Sequence, residues 1–125
     1  MTVPQPPNIT PPPVRQMRNA ELAGLAKGGG PYRGKAVFEL IDRAKSDDDA
    51  ATRLGELSRL SALREDRAFH LVSLAWAAII GLLAAETPYA RSVAYGAFAA
   101  LAGTDQAELL AYVKAGRIED AHPQV

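Results

Sequence analysis

Gly29-Gly30-Pro31-Tyr32-Arg33-Gly34-Lys35 has the spacing G-x-x-x-x-G-K. In that motif a glycine-rich loop aims backbone N–H groups at a phosphate and the lysine neutralises its charge. Here the chemistry is incomplete. Residue 36 is Ala, where magnesium needs a Ser or Thr hydroxyl, and Pro31 removes one N–H from the loop. Residues 14–27 have helical apolar spacing, so no strand leads into the motif, and the stretch reads as a linker between helices. Asp47-Asp48-Asp49 invites a calcium loop. That loop needs Asp or Asn at its fifth position, Gly at its sixth and Glu at its twelfth, and Ala51, Thr52 and Ser58 stand there. A helix N-cap is the better reading of the three aspartates.

His70 and His122 lie far apart, and Asp66 is the one carboxylate at helical spacing from His70, which suggests a structural hydrogen bond. With no cysteine in the chain, thiol nucleophiles, disulfides and zinc–thiolate sites are excluded. No Ser-His-Asp or metal-ligand pattern can be assembled, and neither a cofactor nor an enzymatic role is expected. One group remains with a definite chemistry. Arg15, Arg18, Lys27, Arg33 and Lys35, with Tyr32 among them, could grip phosphates and stack on a base. Residues 1–45 carry seven Lys/Arg against three Asp/Glu, and residues 46–125 carry seven against eleven, so a +4 front precedes a −4 body.

The elements that would hold these residues are helical. Alanine supplies 24 of 125 residues and aromatics eight, which suits closely packed helices. Six prolines within residues 4–13 (PQPPNITPPP) specify an extended, polyproline-II-like arm. Val14, Met17, Leu22 and Leu25 mark a first helix, ended by Gly28–Gly30 and Pro31. Val37, Phe38, Ile41 and Ala44 mark a second. Leu54, Leu57, Leu60 and Leu63 read as a third.

Residues 68–85 lack any formal charge and read as one central helix, apolar on both faces, with Trp76 and Ile80 in the core. Six alanines, Ser73, His70 and Gly81 make this run too weakly apolar for a membrane span. Thr87-Pro88 opens a fifth helix and Gly103 stops it. Asp105 with Glu108 resembles a capping box opening a sixth, which Gly116 ends. The last two helices have helix-turn-helix spacing, yet the second offers base edges only Lys114 among acidic and apolar residues, so an αα-corner is the simpler reading.

These observations define an all-α fold: a compact bundle of five or six helices around residues 68–85. Its parts are a Pro-rich arm over residues 1–13, a helical domain over 14–116 and a loose tail over 117–125. With no secretory leader pattern in the opening residues, a cytoplasmic location is expected. The expected function is non-catalytic protein–protein interaction or assembly, with a protein partner or self-association. The alternative is nucleic-acid association through the basic front.

Overall fold

The computed structural model describes residues 12–69 and 72–123. The Pro-rich stretch before residue 12, and the pairing of His70 with Asp66, lie outside the described residues. From residue 12 onward the described chain is mostly helical. A 3-10 turn, Val14–Gln16, leads into α1, Asn19–Gly28, then α2, Arg33–Ala44, α3, Asp48–Leu57, and α4, Ser61–Glu65. A short hairpin of β1, Arg67–Phe69, and β2, Val72–Ser73, precedes α5, Leu74–Ala84. The chain closes with α6, Pro88–Ala99, α7, Gly103–Val113, and a 3-10 turn, Ile118–Asp120.

The uncharged run over residues 68–85 is therefore not one helix. Its first residues pair as antiparallel strands, with Arg67 opposite Ser73 and Phe69 opposite Val72. The Ser73 hydroxyl then opens α5 by accepting from the Trp76 N–H at 3.1 Å. Lack of charge marks burial, and buried residues suit a strand as well as a helix. From Leu74 onward α5 does occupy the middle, packed against α2, α3, α4 and α6. Ala75, Ala78, Ile79, Leu82 and Leu83 are shut away from solvent. Trp76 and Ile80, expected in the core, are half-buried, because they fall four residues apart on a flank of α5 left partly uncovered.

The third expected helix breaks after Leu57, for a geometric reason. At about 100° per residue, leucines spaced by three drift backwards, so on a straight helix Leu63 would point roughly opposite Leu54. Ser58 donates its hydroxyl to the Gly55 carbonyl at 2.7 Å, the chain turns, and α4 starts afresh. Leu54, Leu57 and Leu63 all become fully buried. Seven α-helices among the described residues thus replace the five or six expected.

Two helix approaches are tight. A Cβ placed on Gly81 of α5 would stand 2.6 Å from Cγ2 of Ile41 in α2, and one on Gly55 of α3 would stand 2.5 Å from Cγ1 of Val93 in α6. Both contacts exist because a side chain is missing. The α1–α2 connection depends on glycine in another way, since Gly29 and Gly30 hold φ of 79° and 89°, which L residues disfavour. Other joints follow the expected chemistry. Asp47 caps α3 by accepting from the Asp49 N–H, and Thr87 caps α6 ahead of Pro88.

At α7 the sequence signals mislead. Gly103 begins the helix, its N-cap is Ala102, and Asp105 lies inside the first turn. Gln106 instead faces back, donating to the Phe98 and Leu101 carbonyls at 3.2 and 3.1 Å and closing the end of α6. Nor is the segment after Gly116 detached from the body, since Ile118 and Ala121 are buried. No described helix is long and apolar enough to cross a membrane.

Candidate functional site

The six front-end residues do not act as a set. Arg15 and Arg18 are exposed beside α1, and Arg18 is held by Glu21, whose carboxylate accepts from the Arg18 backbone N–H at 3.0 Å and side chain at 3.1 Å. The backbone bond is the larger reason that Glu21 titrates below its ordinary range, followed by the side-chain bond. Lys27 is exposed in the last turn of α1 and Lys35 in the first turn of α2, with Tyr32 half-buried between them. Arg33 turns inward, its side chain only 13% exposed. It donates to the Ala26 carbonyl at 2.7 Å and to Asp66 at 3.2 Å, tying α1 to the start of the hairpin. Its Nε and Nη1 are thus engaged within the fold.

Two further arginines do the same work, and the sequence does not distinguish them from solvated ones. Arg43, in the last turn of α2, donates to the carbonyls of Met17 at 2.6 Å, Val14 at 3.0 Å and Arg15 at 3.1 Å, while Glu39 balances its charge at 2.8 Å. Arg91 on α6 is 11% exposed. It donates to the carbonyls of Leu83 at 3.1 Å, Glu119 at 3.1 Å and Ala121 at 3.0 Å. Its guanidinium also lies 5.5 Å from the Tyr95 ring centroid. A planar fork with five donors can satisfy several carbonyls at once, which lysine cannot do. The excess of ten arginines over four lysines was the available clue.

The aromatic residues build a composite site. A groove of about 640 Å³ lies between the α4–hairpin segment, the first turn of α5 and α7. Trp76 stands in it with its ring 6.3 Å from Tyr112 of α7, the two planes tilted by 54°. Tyr112 is 46% exposed, and Leu101 and Ala111 extend the apolar floor. Arg64 and Arg67 line one wall. Asp105 and Glu108 line the other, on the same stripe of α7 as Tyr112. Neither the indole N–H of Trp76 nor the Tyr112 hydroxyl donates a hydrogen bond among the described residues.

This volume and this mixture of apolar floor and sparse polar groups suit a binding site. Ser73, the hydroxyl in the wall, is buried and holds its oxygen to the α5 backbone. Among the described residues no group of three or more His, Asp or Glu side chains is placed to hold a metal ion. Sequence reasoning missed the groove because its two rings are 36 positions apart and meet only where α7 comes beside the first turn of α5. Comparison of the chain with protein-family models, curated proteins and solved structures finds no match.

Proposed function

We propose that this is a non-catalytic protein–protein interaction or assembly protein of the cytoplasm, and that the Trp76–Tyr112 groove is its docking surface. The observation that carries the reading is the contact of half-buried Trp76 with exposed Tyr112, each with a donor unused among the described residues, flanked by cations on one wall and carboxylates on the other. Large, stiff aromatic rings in a partly desolvated groove supply most of the affinity of protein contacts, and complementary charges set orientation. The absence of cysteine accords with a reducing compartment. The partner class is protein, including a second copy of the chain.

Sedimentation of the full chain across the micromolar range tests this. Self-association is expected, and Trp76→Ala with Tyr112→Ala is expected to weaken it at least about tenfold while the helical circular dichroism is retained. Unchanged association in the double variant would refute the groove as the interface. Nucleic-acid association through Arg15, Arg18, Lys27, Tyr32, Arg33 and Lys35 is the competing reading, and it loses Arg33 to the Ala26 and Asp66 contacts. No gel shift is expected near physiological salt. A shift abolished by neutralising Lys27 and Lys35 would reverse the ranking.

A further inference from the structure

We infer that α7 is a movable wall of the aromatic groove and that residues 117–122, caught by Arg91, are the strap that holds it shut; the bearing on docking rests on the groove being the docking surface. Three observations converge on it. The first is how little fixes α7. The helix buries one of its eleven residues, Leu109, whereas α5, equally long, buries eight. Of the seven α-helices among the described residues, it is the one without extensive packing against another element. Its near end is tied by Gln106, through the Phe98 and Leu101 carbonyls.

Space also borders α7 on two sides. Asp105, Glu108 and Tyr112 face the 640 Å³ groove. At roughly 100° per residue, Gln106 and Leu110 fall on the opposite face. They line a crevice of about 310 Å³ against Tyr95 and Phe98 of α6. A helix with room on both flanks can swing without displacing closely packed side chains.

The second observation is how the strap is held. Among the described residues no backbone–backbone hydrogen bond joins residues 117–122 to the body, and the N–H groups of Asp120 and Ala121 close on the strap's own Arg117 and Ile118 carbonyls. Its hold on the body runs through side chains. Arg91 takes the Glu119 and Ala121 carbonyls, His122 meets Glu86 at 2.9 Å, and Ile118 and Ala121 are buried. Both polar ties reach the elbow between α5 and α6. Releasing them breaks no helix and no sheet, so the strap opens at a lower cost than the body.

The third is backbone strain. Among the described residues the non-glycine positions with positive φ are Glu86, at 60°, and Lys114, at 58°. Glu86 is the residue that His122 holds, and Lys114 is the turn from α7 into the strap. Left-handed residues of this kind persist where their surroundings hold them, and they gather at switch regions. Closed, the strap draws the far end of α7 toward the elbow and keeps Tyr112 against Trp76. Open, it leaves α7 held by Leu109 and its Gln106 end, and the aromatic pair parts.

Trp76, the chain's one tryptophan, reports where Tyr112 stands. Ile118→Asp releases the strap without altering a residue of α5 or α6, and Arg91→Gln removes the catch. In each full-chain variant, at monomeric dilution, hydrogen exchange across residues 103–122 is expected to rise at least about tenfold, with the amides of α2, α3 and α5 unchanged. Acrylamide quenching of Trp76 should rise in parallel. In sedimentation each variant should weaken self-association about tenfold, because a parted pair no longer forms one docking surface.

Strap amides that exchange freely while α7 and Trp76 stay as in the native chain would show that the strap does not hold the wall, and overturn the inference. So would exchange of α7 only together with α5, or loss of the whole fold in both variants, since α7 would then belong to one cooperative body. A loosened α7 with undiminished association overturns its control of docking. The groove reading fails separately: normal association of the Trp76→Ala, Tyr112→Ala chain removes it, and the bearing on docking falls with it while the exchange result stands.

Discussion

Little more than one turn of α5 separates two opposite environments. At Gly81 the helix approaches α2 so closely that a single added methyl would meet Ile41 at 2.6 Å. At Trp76 it faces an open groove with an aromatic ring across it and charges of both signs on its walls. The intervening residues are equally apolar, so hydrophobicity does not set the difference. Side-chain size and the placement of neighbours do. Glycine and alanine admit a second helix, and tryptophan holds one off.

The sharpest way to break this comparison is to put a carboxylate on each flank. Ile79 is fully buried and Ile80 only partly so. Ile79→Asp should cost several kcal/mol, comparable with the whole stability of a domain of about 5–15 kcal/mol, and abolish the cooperative thermal transition. Ile80→Asp should melt cooperatively at a reduced temperature. Equal loss in both, followed by circular dichroism, would mean that α5 has no open flank.

A smaller effect sharpens the same contrast. Gly81→Ala should destabilise by about 1–3 kcal/mol through overpacking against Ile41, partly offset by the better helix propensity of alanine. Gly24→Ala, in α1 where a Cβ meets no atom within 4 Å, should stabilise by about 0.5–1 kcal/mol. Denaturant midpoints of the two variants, shifting in opposite directions, would check both.

How far the sequence discloses this can be judged residue by residue. The helical stripes, the Asp47 and Thr87-Pro88 caps and the Gly29–Gly30 joint are local, and local spacing reveals them. The break at Ser58 follows from angular drift, once the leucines are counted by angle instead of by spacing. The hairpin at Arg67–Ser73 is hidden because an uncharged run serves strand and helix alike. Ile118 and Ala121 look ordinary among charged neighbours, and the side chain that ties their segment to the body is Arg91, 28 and 30 positions from the Glu119 and Ala121 carbonyls it takes. The groove is the least legible part, since its chemistry exists only in the meeting of Trp76 with Tyr112.

The smallest effect concerns the closed end of α5. Glu86 is held below its ordinary value of 4.5, first by the hydrogen bond with His122 at 2.9 Å, with further charge attraction from His122 and then Arg91. A depressed carboxylate contributes stability that is present above its ordinary pKa and lost as pH falls through the lowered one. Because Glu86 is solvent-exposed, the contribution is modest. Glu86→Gln should lower the melting temperature slightly at neutral pH, and the gap to the native chain should close as the medium is acidified below the carboxylate range. A gap that persists in acid would assign the effect to packing instead of charge.

The two backbone-gripping arginines also differ in time. A chain made from its N-terminus presents the carbonyls of residues 14, 15 and 17 well before Arg43 exists to take them, whereas Arg91 is made before the carbonyls of residues 119 and 121. During synthesis the leading segment must therefore wait, unsecured, until the last turn of α2 has formed. The trailing segment follows a receptor residue that is already in the chain. The beginning of the domain is fastened retrospectively, and its end closes like a latch.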